Sequence, residues 1–262
     1  MSKLYDKLRY VFALTRMLIA DSSHNRAAFW MFIVMMFANN IVYFTMWAIY
    51  FYNFSSLNGW TLADFATMQG VLCFGFGITF FLFGGSWNIA RMVVSGEMDS
   101  YLGRPRSPLL PVLMRECRVA AGGDVASAFV LWMALGKHGF SDLPLLLLIS
   151  LGAAAIFLAV MIAVQSLAFW ITGISTAADN LFEVFLTLSL YPQNVYGSAV
   201  RVLLFTAIPA AYIGFLPVEI MRHFSWPMLG AIMGAAVFYL CLAVFIFNRG
   251  LRSYTSGNAM QR

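Results

Sequence analysis

The stretch SGEMDSYLGRPRSPLLPVL, Ser95 to Leu113, is mixed in charge, punctuated by prolines, and set between two runs that are each apolar enough to cross a bilayer. Of the 262 residues, 61% are hydrophobic and 10% charged, with a mean hydropathy of +0.80; a soluble domain carries about 25% charged residues. The chain therefore reads as an all-α integral membrane protein, and the polar stretch as a connection that an oily protein keeps for a purpose.

Outward from that stretch, the preceding apolar runs predict crossings over 27–51 and 62–93, joined by NFSSLNGWTLAD, which contains no Lys or Arg. The following runs predict crossings over 119–135, 143–171 and 227–247. Each crossing takes about 20 apolar residues, so residues 1–262 are filled by a single transmembrane domain. Between Gly173 and Trp226 two runs compete for one further crossing, 176–190 and 199–217. Length favours the second, since the first is short and carries Glu183. The second is broken by Pro209, which is also the pattern of a re-entrant segment sheltered by protein. Either choice gives six crossings with both ends on one side.

Of the sixteen Lys and Arg, Lys137 and Arg222 then fall outside and Arg201 depends on the choice, which leaves thirteen inside. That asymmetry predicts cytoplasmic termini. Trp60 and Trp226 fit an outer aromatic belt, Trp30 and Trp170 an inner one. Residues 2–20 form an amphipathic pattern: Leu4, Leu8, Val11, Phe12, Thr15, Leu18 and Ile19 share one arc and Lys3, Lys7, Arg9 and Arg16 the other, which predicts a helix lying in the membrane interface against lipid headgroups. The basic residues sit at the ends of apolar runs, so they are topology signals and no nucleic-acid partner is expected.

Several chemistries lack their residues. There is no G-x-x-x-x-G-K-[ST] phosphate loop, no H-E-x-x-H and no G-x-S-x-G. Cys73, Cys117 and Cys241 show no metal-ligand spacing. No catalytic residue, metal site or cofactor bound by this chain is expected. The crossings hold few ionisable groups: Asp64 and Asp124 fall near helix ends. Asn39 and Asn40, mid-span, either tie helices together or line a translocation path. Gly75, Gly77, Gly152, Gly230 and Gly234 read as small residues that let helices approach. Most of the sixteen methionines and twenty-five phenylalanines are expected simply to face lipid, and the remainder could make a pliable cavity for greasy, aromatic or cationic molecules.

Within the opening stretch, residues 97–102 predict a short helix with Glu97 and Asp99 at its N-terminal end. Arg104-Pro105-Arg106-Ser107-Pro108 then stops it. A rigid helix held below the membrane and flanked by arginines suits docking into a groove on another protein.

The run Gly96, Met98, Asp99, Leu102, Arg104, Pro105, Ser107, Pro108 resembles the first cytoplasmic loop of the ABC-2 (type 2) ABC transporter permeases, in particular a bacterial exporter branch with a G-x-[LM]-D-x-x-L-x-[RK]-P pattern. The run from Tyr191 to Met221, with Tyr191, Pro192, Tyr196, Arg201, Leu204, Pro209, Ala210 and Pro217, is similar to the same branch. The resemblance implies a permease subunit of an ATP-driven exporter in the bacterial cytoplasmic (inner) membrane, moving a hydrophobic or amphiphilic solute outward. It implies a second permease, identical or paralogous, and two copies of a separate ABC ATPase that holds ATP and Mg. The loop 94–113 would be the coupling element, with Gly96, Glu97, Met98, Asp99, Tyr101, Leu102, Arg104, Pro105 and Arg106 at the ATPase contact. It also implies that 176–190 is the fifth crossing and 191–221 an extracellular re-entrant pair. The readings in competition are an ion-gradient-driven carrier and a non-transporting membrane scaffold.

Overall fold

A computed structural model describes residues 13–20, 24–54, 56–57, 59–102, 107–191 and 195–254. Residues 13–20 are helical; the rest of the interfacial helix expected over 2–20 lies outside the described residues. Helix α1, Arg26–Asn53, starts where the Asn25 side chain accepts a hydrogen bond from the Ala28 amide at 3.1 Å. Helix α2, Leu62–Leu82, starts at a capping box: the Thr61 amide donates to Asp64 Oδ2 at 2.8 Å and the Asp64 amide to Thr61 Oγ1 at 3.4 Å, satisfying two amides the helix end would otherwise leave bare. The expected crossing over 62–93 is therefore one straight helix followed by a 3₁₀ turn, Gly84–Asn88, and a short helix α3, Ile89–Val94.

Two short helices follow, α4, Asp99–Leu102, and α5, Leu109–Leu113. Helix α6, Ala121–Val130, widens into a π turn over Leu131–Leu135, where the Gly136 amide bonds to the Leu131 carbonyl at 2.7 Å. Helix α7, Leu143–Gln165, tightens into a 3₁₀ turn over Ser166–Phe169. Helix α8 is Ser175–Ser189. Helices α9, Ser198–Phe205, α10, Ala210–Ile213, and α11, Phe215–Arg222, are short. Helix α12, Trp226–Ser253, ends the described chain.

Four helices, α1, α2, α7 and α12, are long and apolar enough to cross a membrane, and α9 with α10–α11 forms a fifth candidate bent by 77°. The expectation of six depends further on α6 with its π turn, ten residues plus five, and on α8, fifteen residues. At about 1.5 Å per residue each reaches about 22 Å, short of the roughly 30 Å hydrocarbon core. The long helices follow from composition, since an apolar run this long must satisfy its backbone within itself.

The packing order is α1, α6, α2, α7, α12, each helix lying mainly on its neighbours in that series. Helix α2 is in the middle and its apolar window is 78% buried, whereas that of α1 is 11% buried. A helix that is apolar all round is covered on every side by protein or by lipid; α2 is the first case and α1 largely the second. Phe76, Phe80, Trp87, Phe157, Phe182 and Phe185 form one ring cluster that joins α2, α7 and α8.

Small residues decide how close the helices come. A Cβ on Gly123 would meet the Ile33 carbonyl and stand 2.7 Å from the Phe37 amide nitrogen of α1; one on Gly77 would stand 2.8 Å from the Ala121 carbonyl of α6. Gly75 and Gly152 serve the α2–α7 and α7–α12 contacts in the same way. Gly230 and Gly234 differ from expectation: a Cβ on either would meet no other part of the described residues within 4 Å, because α12 meets the bundle through Leu229, Ile232 and Ala236. Trp30, Trp170 and Trp226 are exposed as a belt requires, but Trp60 is 1% exposed, buried under the turn between α1 and α2.

At the end of the bundle opposite Ser95–Leu113, Arg222 closes α11 onto α2. Its Nε and Nη2 donate to Asp64 Oδ1 and Oδ2 at 2.9 and 2.6 Å, Nη2 also to the Gly59 carbonyl at 2.9 Å, and Nη1 to Glu219 Oε1 at 3.2 Å. Its guanidinium lies 5.5 Å from the Trp60 ring centroid. This fork geometry is specific to arginine.

Two stability outcomes are expected from thermal unfolding in detergent. Gly123→Val lowers stability by about 1–3 kcal/mol, because the added atoms meet backbone that cannot yield, while Gly230→Ala leaves it unchanged or slightly raised; equal effects would refute the close-approach reading. Asp64→Asn, which leaves Arg222 without its bidentate acceptor, costs about 1–3 kcal/mol.

Candidate functional site

The polar stretch is rooted in the bundle by its backbone. Gly96 has φ +77, a conformation glycine adopts without strain, and it turns the chain back so that the Met98 amide bonds to the Met92 carbonyl at 3.1 Å. Bonds of the i to i−3 type then carry the turn from Asp99 to Tyr101, and the Ser100 hydroxyl donates to the Glu97 carbonyl at 2.8 Å. The helix expected over 97–102 is regular only over α4, Asp99–Leu102, since Glu97 and Met98 are spent on the turn.

Met98 is 0% exposed, packed in an apolar cluster with Met92, Val112, Ile162, Phe169 and Phe247, and Tyr101 lies against the same cluster. These two point into the protein. Gly96 and Asp99 are half-buried, and Glu97, Ser100 and Leu102 face outward, Leu102 being 44% exposed. Arg104, Pro105 and Arg106 lie outside the described residues. Arg115 pairs with Glu97, a contact that raises the arginine's pKa and braces the turn against α5. Such an exposed pair adds little stability; it fixes orientation. Cys117 is pushed up by burial to about 11, so it stays a thiol at neutral pH and has no nucleophilic character.

Gln165 ties this end together. It is 1% exposed; its Oε1 accepts the Ala90 amide at 3.1 Å and its Nε2 donates to Asp179 Oδ1 at 2.6 Å. One side chain on α7 thus links α3, which leads into the loop, to the start of α8. Arg118 lies 4.5 Å over the Trp87 ring, pinning the chain that enters α6.

Asn39 and Asn40 separate in space. Asn39 is exposed and Asn40 buried. Asn40 Nδ2 donates to Asp124 Oδ1 at 2.7 Å and to Ser127 Oγ at 3.0 Å, and Gln69 Nε2 donates to the Asn40 carbonyl at 3.2 Å. This polar cross-link joins α1, α2 and α6 about halfway along α1. Both asparagines line a cavity of about 400 Å³ between α1, α2 and the end of α8, together with Tyr43, Gln69 and Asp124.

Asp124 is near a helix end, as expected, but buried. It is in the first turn of its helix, yet that helix begins against the middle of α1, so the carboxyl is deep in the bundle. The flanking Ala120, Ala121, Gly122, Gly123 and Ser127 are the signal that could have placed it, because a small-residue surface marks a tight helix contact. Gln69 and Gln165 carried no such signal.

The motif around 191–221 forms no common site with the loop or with Asn39 and Asn40. The Tyr191 ring is 5.9 Å from Trp47 of α1, Pro209 is buried at the bend, and Pro217 is buried in the first turn of α11, where a proline removes no helix hydrogen bond. Pro192 lies outside the described residues.

Residues 37–258 match the family model described as ABC-2 family transporter protein. Neither the curated proteins nor the solved structures contain a match. With that model spanning most of the chain, over helices suited to multiple membrane crossings, the protein belongs to the ABC-2 family of transporter proteins and is a membrane permease component of an ABC transporter, not an enzyme in its own right.

Proposed function

We propose that this chain is the permease subunit of an ATP-driven exporter that moves a hydrophobic or amphiphilic solute out across a bacterial cytoplasmic membrane. In this reading α1, α2, α6, α7, α8 and α12 are the six crossings, with α6 and α8 short, both termini cytoplasmic and α9–α11 an extracellular re-entrant segment. A separate ABC ATPase in two copies binds ATP and Mg, and a second permease, identical or related, completes the complex.

The observation that carries this reading is the construction of the loop. Met98 and Tyr101 anchor it among the ends of α7 and α12, while Glu97, Ser100 and Leu102 are left at its tip. A force applied to the tip is passed to helix ends instead of being lost in a slack connection. Gln165 extends the same rigid contact to α8.

A second reading, the ion-gradient-driven carrier, has one observation in its favour, the buried Asp124, since carboxylates inside a membrane protein are often ion or proton sites. Transport that collapses with the proton gradient while ATP is maintained would select it over the exporter.

A tagged full-length chain purified under gentle extraction is expected to bring an ATPase with it. Recovery without any ATPase would sink the exporter reading. Leu102→Glu is expected to weaken that association by about thirtyfold or more, as truncation of an interface anchor does, with the fold and membrane insertion intact. Asp99→Arg and Arg104→Glu are expected to uncouple ATP hydrolysis from transport; transport unchanged in all three variants would remove the loop from the contact.

A further inference from the structure

The cavity between α1, α2 and α8 has a chemistry of its own. Its apolar wall is formed by Met36, Leu72, Phe76 and Leu186. Among the described residues, two that line it carry buried polar oxygens: Asp124, 3% exposed, whose Oδ2 has no hydrogen-bond partner while Oδ1 takes the Asn40 amide, and Tyr43, whose hydroxyl stands near the Trp47 side chain. Among the described residues, no Lys, Arg or His lines the cavity. The exposed Asn39 and Val42 of α1 stand at its rim, so it can be reached from the face of α1 that the chain leaves uncovered.

We propose that this cavity is a binding site for a hydrophobic organic cation bearing N–H donors, with Asp124 as the counter-ion and Tyr43 as a second polar contact. A buried carboxylate with one hydrogen bond is costly unless it takes up a proton or an opposite charge meets it. A protonated amine supplies both the charge and the missing donor to Oδ2. The rings of Tyr43 and Phe76 attract a cation through their faces, and the Met36 thioether adapts to the ligand's apolar body. An anion would meet an uncompensated negative charge. A neutral solute can give Oδ2 a donor but not the opposite charge. The volume of about 400 Å³ is within the roughly 300–1,000 Å³ of small-molecule sites. The inference deepens the exporter reading, on which it rests, by naming the class of solute.

The test uses the full-length chain, with any subunits that co-purify, in nanodiscs of zwitterionic lipid so that the membrane itself does not concentrate cations. Fluorescence anisotropy follows rhodamine 6G, a cation with N–H groups, and Nile red, which is neutral. The wild type is expected to bind rhodamine 6G at least about tenfold more tightly than Nile red. Asp124→Asn, which keeps a partner for Asn40, is expected to weaken rhodamine 6G about thirtyfold or more and leave Nile red unchanged, and Asp124→Glu to retain the preference for the cation. Equal rhodamine 6G binding by wild type and Asp124→Asn overturns the proposal, as does parallel loss of both dyes or identical behaviour of the Glu and Asn variants. Should the Asn variant not fold, the wild-type ratio decides alone: no preference for the cation refutes the site. Cation-selective binding without a recovered ATPase sinks the exporter reading only; an ATPase recovered with charge-blind binding sinks this inference only.

Discussion

The contact on which the rest of the structure depends is the backbone approach of α6 to α1 and α2. It exists because Gly123 has no side chain where the Ile33 carbonyl and Phe37 amide of α1 stand, and because Gly77 gives the Ala121 carbonyl the same clearance on α2. Only at that separation does Asn40 reach Asp124 and Ser127. Inside a membrane protein no hydrophobic force distinguishes a neighbouring helix from lipid, so close packing and interhelical hydrogen bonds must hold helices together. Here one depends on the other, since the small residues set the distance and the polar cross-link selects the register.

The same constraint shapes the opposite duties of the two ends. At the loop end, Met98 and Phe169 are packed with Phe247, and Gln165 joins α3 to α8, so the turn from Gly96 to Leu102 is continuous with three long elements. At the far end, Arg222 holds the bent α9–α11 segment to the head of α2 through Asp64 and Gly59. Helix α2 is thereby gripped at its start, its middle and its tail. It is also the most buried helix of the series. An element with so many fixed contacts can move only as a body, and interfaces of this kind shift between discrete arrangements instead of bending continuously.

Much of this was legible in the residues. The cores of α1, α2, α7 and α12 lie inside unbroken apolar runs, and a run of that length leaves a membrane protein little choice. The loop was legible too, because charge and proline have no other reason to interrupt such a chain. What could not be read was which loop residues face inward. Met98 sits in the same polar stretch as Glu97 and Leu102, and only the left-handed turn at Gly96, which draws the Met98 amide back to Met92, aims its side chain into the apolar cluster. Trp60 is the same case, since a tryptophan at a membrane boundary is ordinarily part of a belt, but this one is roofed by Arg222. Gly230 and Gly234 have the spacing of a packing face without a helix of this chain to pack against.

Asp124 is buried although it stands near a helix end, and the reason is geometric. An acid near the end of an apolar run is ordinarily read as lying at the membrane surface, which holds when the helix spans the full bilayer. Helix α6 is shorter than that; with its π turn it reaches about 22 Å at about 1.5 Å per residue. Its first turn therefore opens beside the middle of α1, and the acid in that turn goes there with it. The position is not an arbitrary one for a carboxyl group, since the first turn of a helix stands at the positive end of the macrodipole. A short helix and a buried acid are thus one feature. The helix had to be truncated for its N-terminus to lie within the bundle, and a carboxylate at that N-terminus is tolerated where one in mid-helix would not be. Lengthening α6 by a turn at its start would move Asp124 away from the positive end of the helix and leave its carboxyl group with Asn40 alone.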